Sequence, residues 1–258
     1  MQLALVQVAS SLDPAQNRAT LRDLPDAELV VLPEAFARDF GSPGSSVEDY
    51  AEPLDGPFVS ALVEAAGDRV LVAGMFEQTD GLPYNTLVAV DRDGVLATYR
   101  KIHLYDSFGY QESKALSAGP LDQAVTLDVG GVNVGLMTCY DLRFPELARR
   151  FDADLLVVPA AWVAGPRKVL HWRTLLTARA IENVTYVAGA GQAGPRYTGH
   201  TVVVDPRGDV LAEASTEPTV VEAAIDPALV AEARRENPSL DNRRIFEPDR
   251  RGGDRGPS

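Results

Sequence analysis

Thiols are almost absent from the 258-residue chain: one cysteine, Cys139, excludes an internal disulfide and any zinc site built from several thiolates. Histidine is nearly as scarce. His103, His171 and His200 lie far apart, so a histidine-rich metal centre has little to draw on, and chemistry without a metal or an organic cofactor is the expectation. Positive charge is also in deficit. The 24 basic and 37 acidic residues leave a net charge of −13, a field that repels phosphate backbones and anionic lipid, so neither nucleic acid nor a membrane surface is expected as a partner. A small anionic substrate stays open, because a buried arginine binds a carboxylate whatever the charge outside. Long apolar runs are missing as well. The stretch 155–165 is about half a membrane span and is interrupted by Pro159. The opening MQLALVQVASSL has no basic residue before a short apolar run, so it reads as a first strand rather than an export signal. With a lone thiol, this points to the cytoplasm.

What is present is an alternation of β-rich runs and helical segments, which predicts a layered α/β architecture. Strands are expected over 3–8, 29–32, 70–76, 86–90, 95–99, 132–137, 155–158, 186–190, 201–204, 210–214 and 220–225, enough for two sheets. Helices are expected over 14–23, 57–66, 145–151, 167–183 and 227–235, several of them starting at a proline, which the first helical turn tolerates. Asp91-Arg92-Asp93-Gly94 and Asp205-Pro206-Arg207-Gly208 each stand between two β runs and carry the glycine that a hairpin turn uses. The segment Leu29-Val30-Val31-Leu32-Pro33-Glu34 is echoed by Leu155-Leu156-Val157-Val158-Pro159-Ala160, which suggests two similar halves. In open α/β sheets, ligands bind just beyond the carboxyl ends of buried strands. Residues 248–258, rich in Gly, Arg, Asp and Pro, are expected to form a flexible tail.

Several side chains near such strand ends could carry chemistry. Cys139 closes the apolar run Gly135-Leu136-Met137-Thr138 and enters a polar turn that leads to a helix at Pro145, the placement of a nucleophile on a strand-to-helix elbow. Equally, it could be a small buried hydrophobe that finishes a strand. A nucleophilic thiol needs a base or a nearby cation, since a free cysteine is mostly protonated near neutrality. His103 lies on the same side of its strand as Lys101, and a Cys/His pair stays open. Glu34 follows an almost wholly apolar strand and is either a solvent-facing residue or a partly desolvated base. Lys101, at the end of a hairpin strand, is either a solvated strand-end cation or a group that stabilises a thiolate and an oxyanion. Glu112 reads as a loop acid that could orient Lys101. Arg143 could pair with Asp141 or Glu146, or fork onto a substrate carboxylate. Tyr140 and Trp162 would supply apolar walls, while His171 and His200 read as structural. Gly165-Pro166-Arg167-Lys168 brings two cations to the start of a helix.

The stretches LVVLPEAF around Glu34, YRKIHLYD around Lys101, GYQES around Glu112 and GLMTCYDLRFPELAR around Cys139 together resemble the nitrilase superfamily of carbon–nitrogen hydrolases. HWRTLLTARAIENVTYVAGAGQ, GHTVVVDPRGDVLAEA and NPSLDNRR extend the resemblance to about residue 247, and the wording is most similar to the omega-amidase and deaminated glutathione amidase branch. It implies one carbon–nitrogen hydrolase domain over 1–247, folded as a four-layer αββα sandwich with a C-terminal arm from Ala228 onward that packs on a partner in a homodimer. It further implies a Glu34-Lys101-Cys139 triad with Glu112 as a fourth member. The activity implied is hydrolysis of a small, carboxylate-bearing amide to acid and ammonia through a thioester on Cys139, with Tyr140, Arg143 and Trp162 around the substrate. Hydrolysis of an N-carbamoyl compound, acyl transfer to an amine, and an inactive dimeric interaction module are the alternatives.

Overall fold

The computed structural model describes residues 1–42 and 44–244, so the expected tail over 248–258 lies outside the described residues. Burial on both faces explains the first sheet. In β1 (Gln2–Gln7), Leu3 and Leu5 enter one buried cluster while Ala4 and Val6 enter another, as the two-residue period of a doubly covered strand requires. β1 lies parallel to β2 (Leu29–Val31), and β2 parallel to β3 (Val70–Glu77). β4 (Tyr84–Asp91) and β5 (Gly94–Arg100) continue the sheet antiparallel, and β14 (Thr219–Ala224) closes the other edge against β1. The turn between β4 and β5 is the expected one: Oδ1 of Asp91 accepts the N–H groups of Asp93 and Gly94, and Gly94 has a φ of 137°.

A second six-stranded sheet repeats this plan. Its order is β13-β12-β11-β10-β9-β8, where β8 is Thr126–Val129, β9 Val132–Leu136, β10 Leu155–Ala160, β11 Tyr186–Gly191, β12 Val202–Val204 and β13 Val210–Glu213. β9, β10 and β11 are parallel and are flanked by antiparallel neighbours, as β1, β2 and β3 are. The echoed segments thus supply the middle parallel strands of their sheets, 29–31 in the first and 155–160 in the second.

The sheets face each other. Leu5, Val31, Val72 and Leu87 from the first share a buried cluster with Leu136, Val157, Ala188 and Val203 from the second. On the outer side of the first sheet, Val30, Leu71 and Val88 meet Phe58 and Leu62 of α2 (Pro57–Ala66), near α1 (Pro14–Thr20). Across the second sheet lies α4 (Lys168–Asn183): a Cβ on Gly189 of β11 would stand 2.5 Å from the Trp172 ring, so only glycine allows this approach. The layers are therefore αββα.

Several boundaries differ from expectation. The first helix tightens into a 3-10 turn over Leu21–Asp23, and α3 (Pro145–Ala148) stops short of residue 151. Arg167 takes a left-handed φ of 62° and stands outside α4. Three strands were not expected: β8, and the two-residue pair β6 (Asp106–Ser107) and β7 (Tyr110–Gln111). The C-terminal helix α5 (Pro227–Glu236) buries Val230 and Ala233 within its own chain, and Arg234 donates to the Val184 and Ala153 carbonyls. The first part of the expected arm thus packs on its own chain, and residues 237–244 beyond it are mostly exposed.

Candidate active site

Glu34 stands just beyond β2, Lys101 just beyond β5, Glu112 just after β7 and Cys139 just beyond β9. All four are buried, at 1%, 2%, 1% and 7% exposure. Glu34 reaches this place because β3 is bare where the chain crosses it. A Cβ on Gly74 would lie 2.5 Å from the Ala35 nitrogen and 2.7 Å from the Glu34 Cα. Cys139 begins a 3-10 turn, Cys139–Arg143, with a φ of 45°, a left-handed conformation that a residue with a side chain adopts only where its surroundings enforce it.

The enforcing group is Asp141, which is fully buried. Its Oδ2 accepts the Thr138 N–H at 3.1 Å and the Tyr99 hydroxyl at 2.7 Å, while Oδ1 accepts the His103 N–H at 3.0 Å and lies 2.8 Å from His103 Nδ1. The turn that holds Cys139 is thereby tied to the strand end that carries Lys101. These bonds also resolve two sequence alternatives. The His103 ring is engaged by Asp141 and stacks on Phe144 at 3.7 Å, away from any pairing with Cys139, and Asp141 is occupied by groups other than Arg143.

Lys101 Nζ donates to Glu34 Oε1 at 2.8 Å and to Glu112 Oε1 and Oε2 at 3.1 and 2.9 Å. Burial alone would lower the pKa of this ammonium, but the Glu112 and Glu34 carboxylates, together with Cys139, hold it well above its usual value. Lys101 is a cation in the resting protein. The Cys139 thiol is pushed well up by burial, then by the Glu34 charge. Lys101 opposes this without cancelling it. The resting sulfur is therefore a neutral thiol. Glu34 Oε2 accepts the Ala161 N–H at 2.7 Å, at the end of β10. The Tyr140 N–H lies in the first turn of its 3-10 helix, where N–H groups have no partner within the helix.

Above this cluster are aromatic rings and two cations. Arg143 lies 4.8 Å over the Trp162 ring and 6.0 Å from that of Tyr140, with Nη2 3.5 Å from His171 Nδ1. Among the described residues no carboxylate pairs with it, and its Nε is buried without a partner. Tyr140 is half-buried and packs edge-on against Tyr105 at 5.0 Å. Trp162 is buried and its Nε1 donates to the Lys168 carbonyl. His200 lies 3.1 Å from Glu213, apart from the cluster. No group of three or more His, Cys, Asp or Glu side chains among the described residues is arranged to hold a metal ion.

Sequence reasoning missed two neighbours of Glu34. Asn85 Nδ2 donates to Oε1 of Glu34 at 2.8 Å and to Oε1 of Glu112 at 3.1 Å. A polar residue at the start of β4, just before its apolar run, was the available signal. Gln192 Nε2 donates to the Glu34 carbonyl at 2.9 Å from beyond β11, and nothing local in the sequence marks it.

Residues 2–235 match the family model described as carbon–nitrogen hydrolase. The chain is 42% identical over 230 residues to a deaminated glutathione amidase of Escherichia coli, covering 86% of this chain and 87% of that one. It is 37% identical over 268 residues to an omega-amidase of Mus musculus, covering 94% and 95%. Among solved structures, a Xanthomonas campestris protein of the CN-hydrolase superfamily, with an arsenic adduct in its active site, superposes with a TM-score of 0.86 at 31% identity and covers 95% and 98%.

Proposed function

As a member of the carbon–nitrogen hydrolase family, the chain is a hydrolase of C–N bonds other than peptide bonds, and we propose that it cleaves a small, carboxylate-bearing amide through a thioester on Cys139. The observation that carries this reading is the burial together of Cys139, Glu34 and Lys101, with the Lys101 ammonium 2.8 Å from Glu34 Oε1 and both charges close enough to the thiol to shift its pKa. Glu34 takes the thiol proton as Sγ attacks the amide carbon. Lys101 and the Tyr140 N–H stabilise the oxyanion that forms. As the tetrahedral adduct collapses, the C–N bond breaks and Glu34 returns the proton to the leaving nitrogen, which departs as ammonia. Glu34 then deprotonates a water that attacks the thioester, releasing the acid and the thiol. Glu112 orients Lys101. Arg143, without a carboxylate partner among the described residues, receives the substrate's acid group beside the walls formed by Tyr140 and Trp162.

The domain over 1–247 works in this reading as a homodimer in the cytoplasm. Support for the pairing comes from α4, where Leu170 and Ile181 share one face and stay 59% and 47% exposed. No helix among the described residues is long and apolar enough to cross a membrane.

Ammonia release from butyramide, succinamate, an N-carbamoyl amino acid and a nitrile tests the substrate class. Succinamate is expected to be the best of these, with no carbon dioxide formed. Turnover confined to the carbamoyl compound, with carbon dioxide as a product, overturns the amidase reading.

A further inference from the structure

Lys168 begins α4 and is half-buried. Its Nζ donates to the Tyr105 hydroxyl at 3.0 Å and lies 4.2 Å from the Phe108 ring centroid, 5.2 Å from that of Tyr105 and 5.9 Å from that of Trp162. An ammonium has three donors and no acceptor. One goes to Tyr105, and among the described residues no carboxylate takes the others. Ring faces attract a cation without neutralising it. In a chain of net charge −13, where 37 acidic residues compete for cations, an ammonium beside the reacting centre without a carboxylate is a specific placement.

Arg143 stands over the same Trp162 ring and is likewise without a carboxylate. The rings of Tyr105 and Tyr140 touch, and Tyr140 follows Cys139 directly. The two cations thus share the Trp162 ring and the Tyr105–Tyr140 pair, next to the turn that begins at Cys139. They differ in reach: Arg143 comes from the turn that carries Cys139, whereas Lys168 comes from the helix start opposite the exposed Phe108. A single carboxylate held by the Arg143 fork leaves Lys168 uncompensated.

We propose that Lys168 is a specificity residue that binds a second anionic group of the substrate, so that the preferred amide carries two carboxylates, one on Arg143 and one on Lys168. The inference rests on the amidase reading for the placement of the acyl carbon. Tyr105 orients the ammonium through its hydroxyl. The aromatic faces hold the lysine stem in place while its remaining donors bind carboxylate oxygens.

The test compares kcat/KM for butyramide, succinamate and the terminal monoamide of propane-1,2,3-tricarboxylic acid, which carry no, one and two carboxylates. In the unaltered protein the order is expected to rise with carboxylate number. Lys168→Met is expected to lower kcat/KM at least tenfold for the two-carboxylate amide while changing succinamate less than threefold, and Lys168→Arg to recover part of the loss. An equal fall on all three amides means that Lys168 only fastens the Tyr105 segment and overturns the proposal, as does no change on any of them. A second readout does not need turnover: propane-1,2,3-tricarboxylate is expected to protect Cys139 from iodoacetamide at lower concentration than glutarate does, and Lys168→Met to abolish that difference. Equal protection by the two acids in the unaltered protein also overturns it. If the amides are not hydrolysed but the protection difference is present and lost in Lys168→Met, the amidase reading fails and the second anion site stands.

Discussion

Oε2 of Glu34 accepts the backbone N–H of Ala161 at 2.7 Å, so a carboxylate carried by the first sheet is held at the end of the middle parallel strand of the second. The other oxygen takes Lys101 and Asn85 at 2.8 Å each. In the proposed mechanism this carboxylate, fixed from three sides, is the base that takes the thiol proton. Glu34→Gln keeps the shape and removes the base. It is expected to lower kcat by about 10²–10⁴, the usual contribution of a positioned acid–base group, as read from steady-state ammonia release.

Glu112 touches Lys101 with both oxygens, and its Oε2 also accepts the Tyr105 N–H. In the proposed mechanism its role is to position the ammonium. Glu112→Gln is expected to lower kcat less than Glu34→Gln does, and to leave the alkylation of Cys139 dependent on Glu34. Equal losses in kcat for the two variants would show that both carboxylates move protons.

Lys101 is enclosed by two buried carboxylates, and Lys101→Met leaves both without their cation. Removing one member of a buried ion cluster costs about 3–5 kcal/mol. Chemical denaturation is expected to show a loss of that order, and activity to disappear.

The thiol of Cys139 supplies a pH test. Its pKa is raised in the folded chain, first by burial and then by Glu34, whereas an unfolded cysteine ionises near about 8.5. Between that value and the higher folded one, the unfolded chain loses its proton first. Stability contributed by the protonated thiol is therefore full below the unfolded value and lost as pH rises toward the folded one. Iodoacetamide labelling of the native protein is expected to keep accelerating above pH 9, while labelling in denaturant levels off earlier. Cys139→Ser should flatten the alkaline decline in stability.

Gly74 tests how closely the site depends on the first sheet. The Cβ of Gly74→Ala would press on backbone at 2.5 and 2.7 Å, which cannot yield as the end of a flexible side chain can. Overpacking of this kind costs about 1–3 kcal/mol. The variant is expected to lose stability in that range and to lose kcat beyond it, because the displaced atoms belong to Glu34 and Ala35.

Much of this was legible from residues alone. The run of β-rich segments, the glycine turn after Asp91 and the echo of Leu-Val-Val-Leu-Pro in Leu-Leu-Val-Val-Pro lead to two similar sheets, because burial on both faces leaves a similar hydrophobic record in each. Cys139 and Glu34 stood out as reactive groups at the ends of apolar strands. What escaped were contacts between distant segments. β8 was overlooked because its Thr126 and Asp128 are exposed and its Leu127 half-buried, so no apolar run marks it. Asn85 could be seen as a polar residue leading into an apolar strand, but not as the donor shared by two carboxylates, since those approach from elsewhere in the chain. Arg143 was left between an ion pair and a free fork because the competitor for Asp141 is His103, far back in sequence.

The central claim is that the acyl group of the substrate is carried by Cys139. Intact-protein mass spectrometry after rapid acid quench with succinamate tests it directly. The account predicts a mass increase equal to the succinyl group, located on the peptide that contains Cys139 and absent from Cys139→Ala, which releases no ammonia. Full ammonia turnover by Cys139→Ala, or an acyl adduct on any other residue, would contradict it.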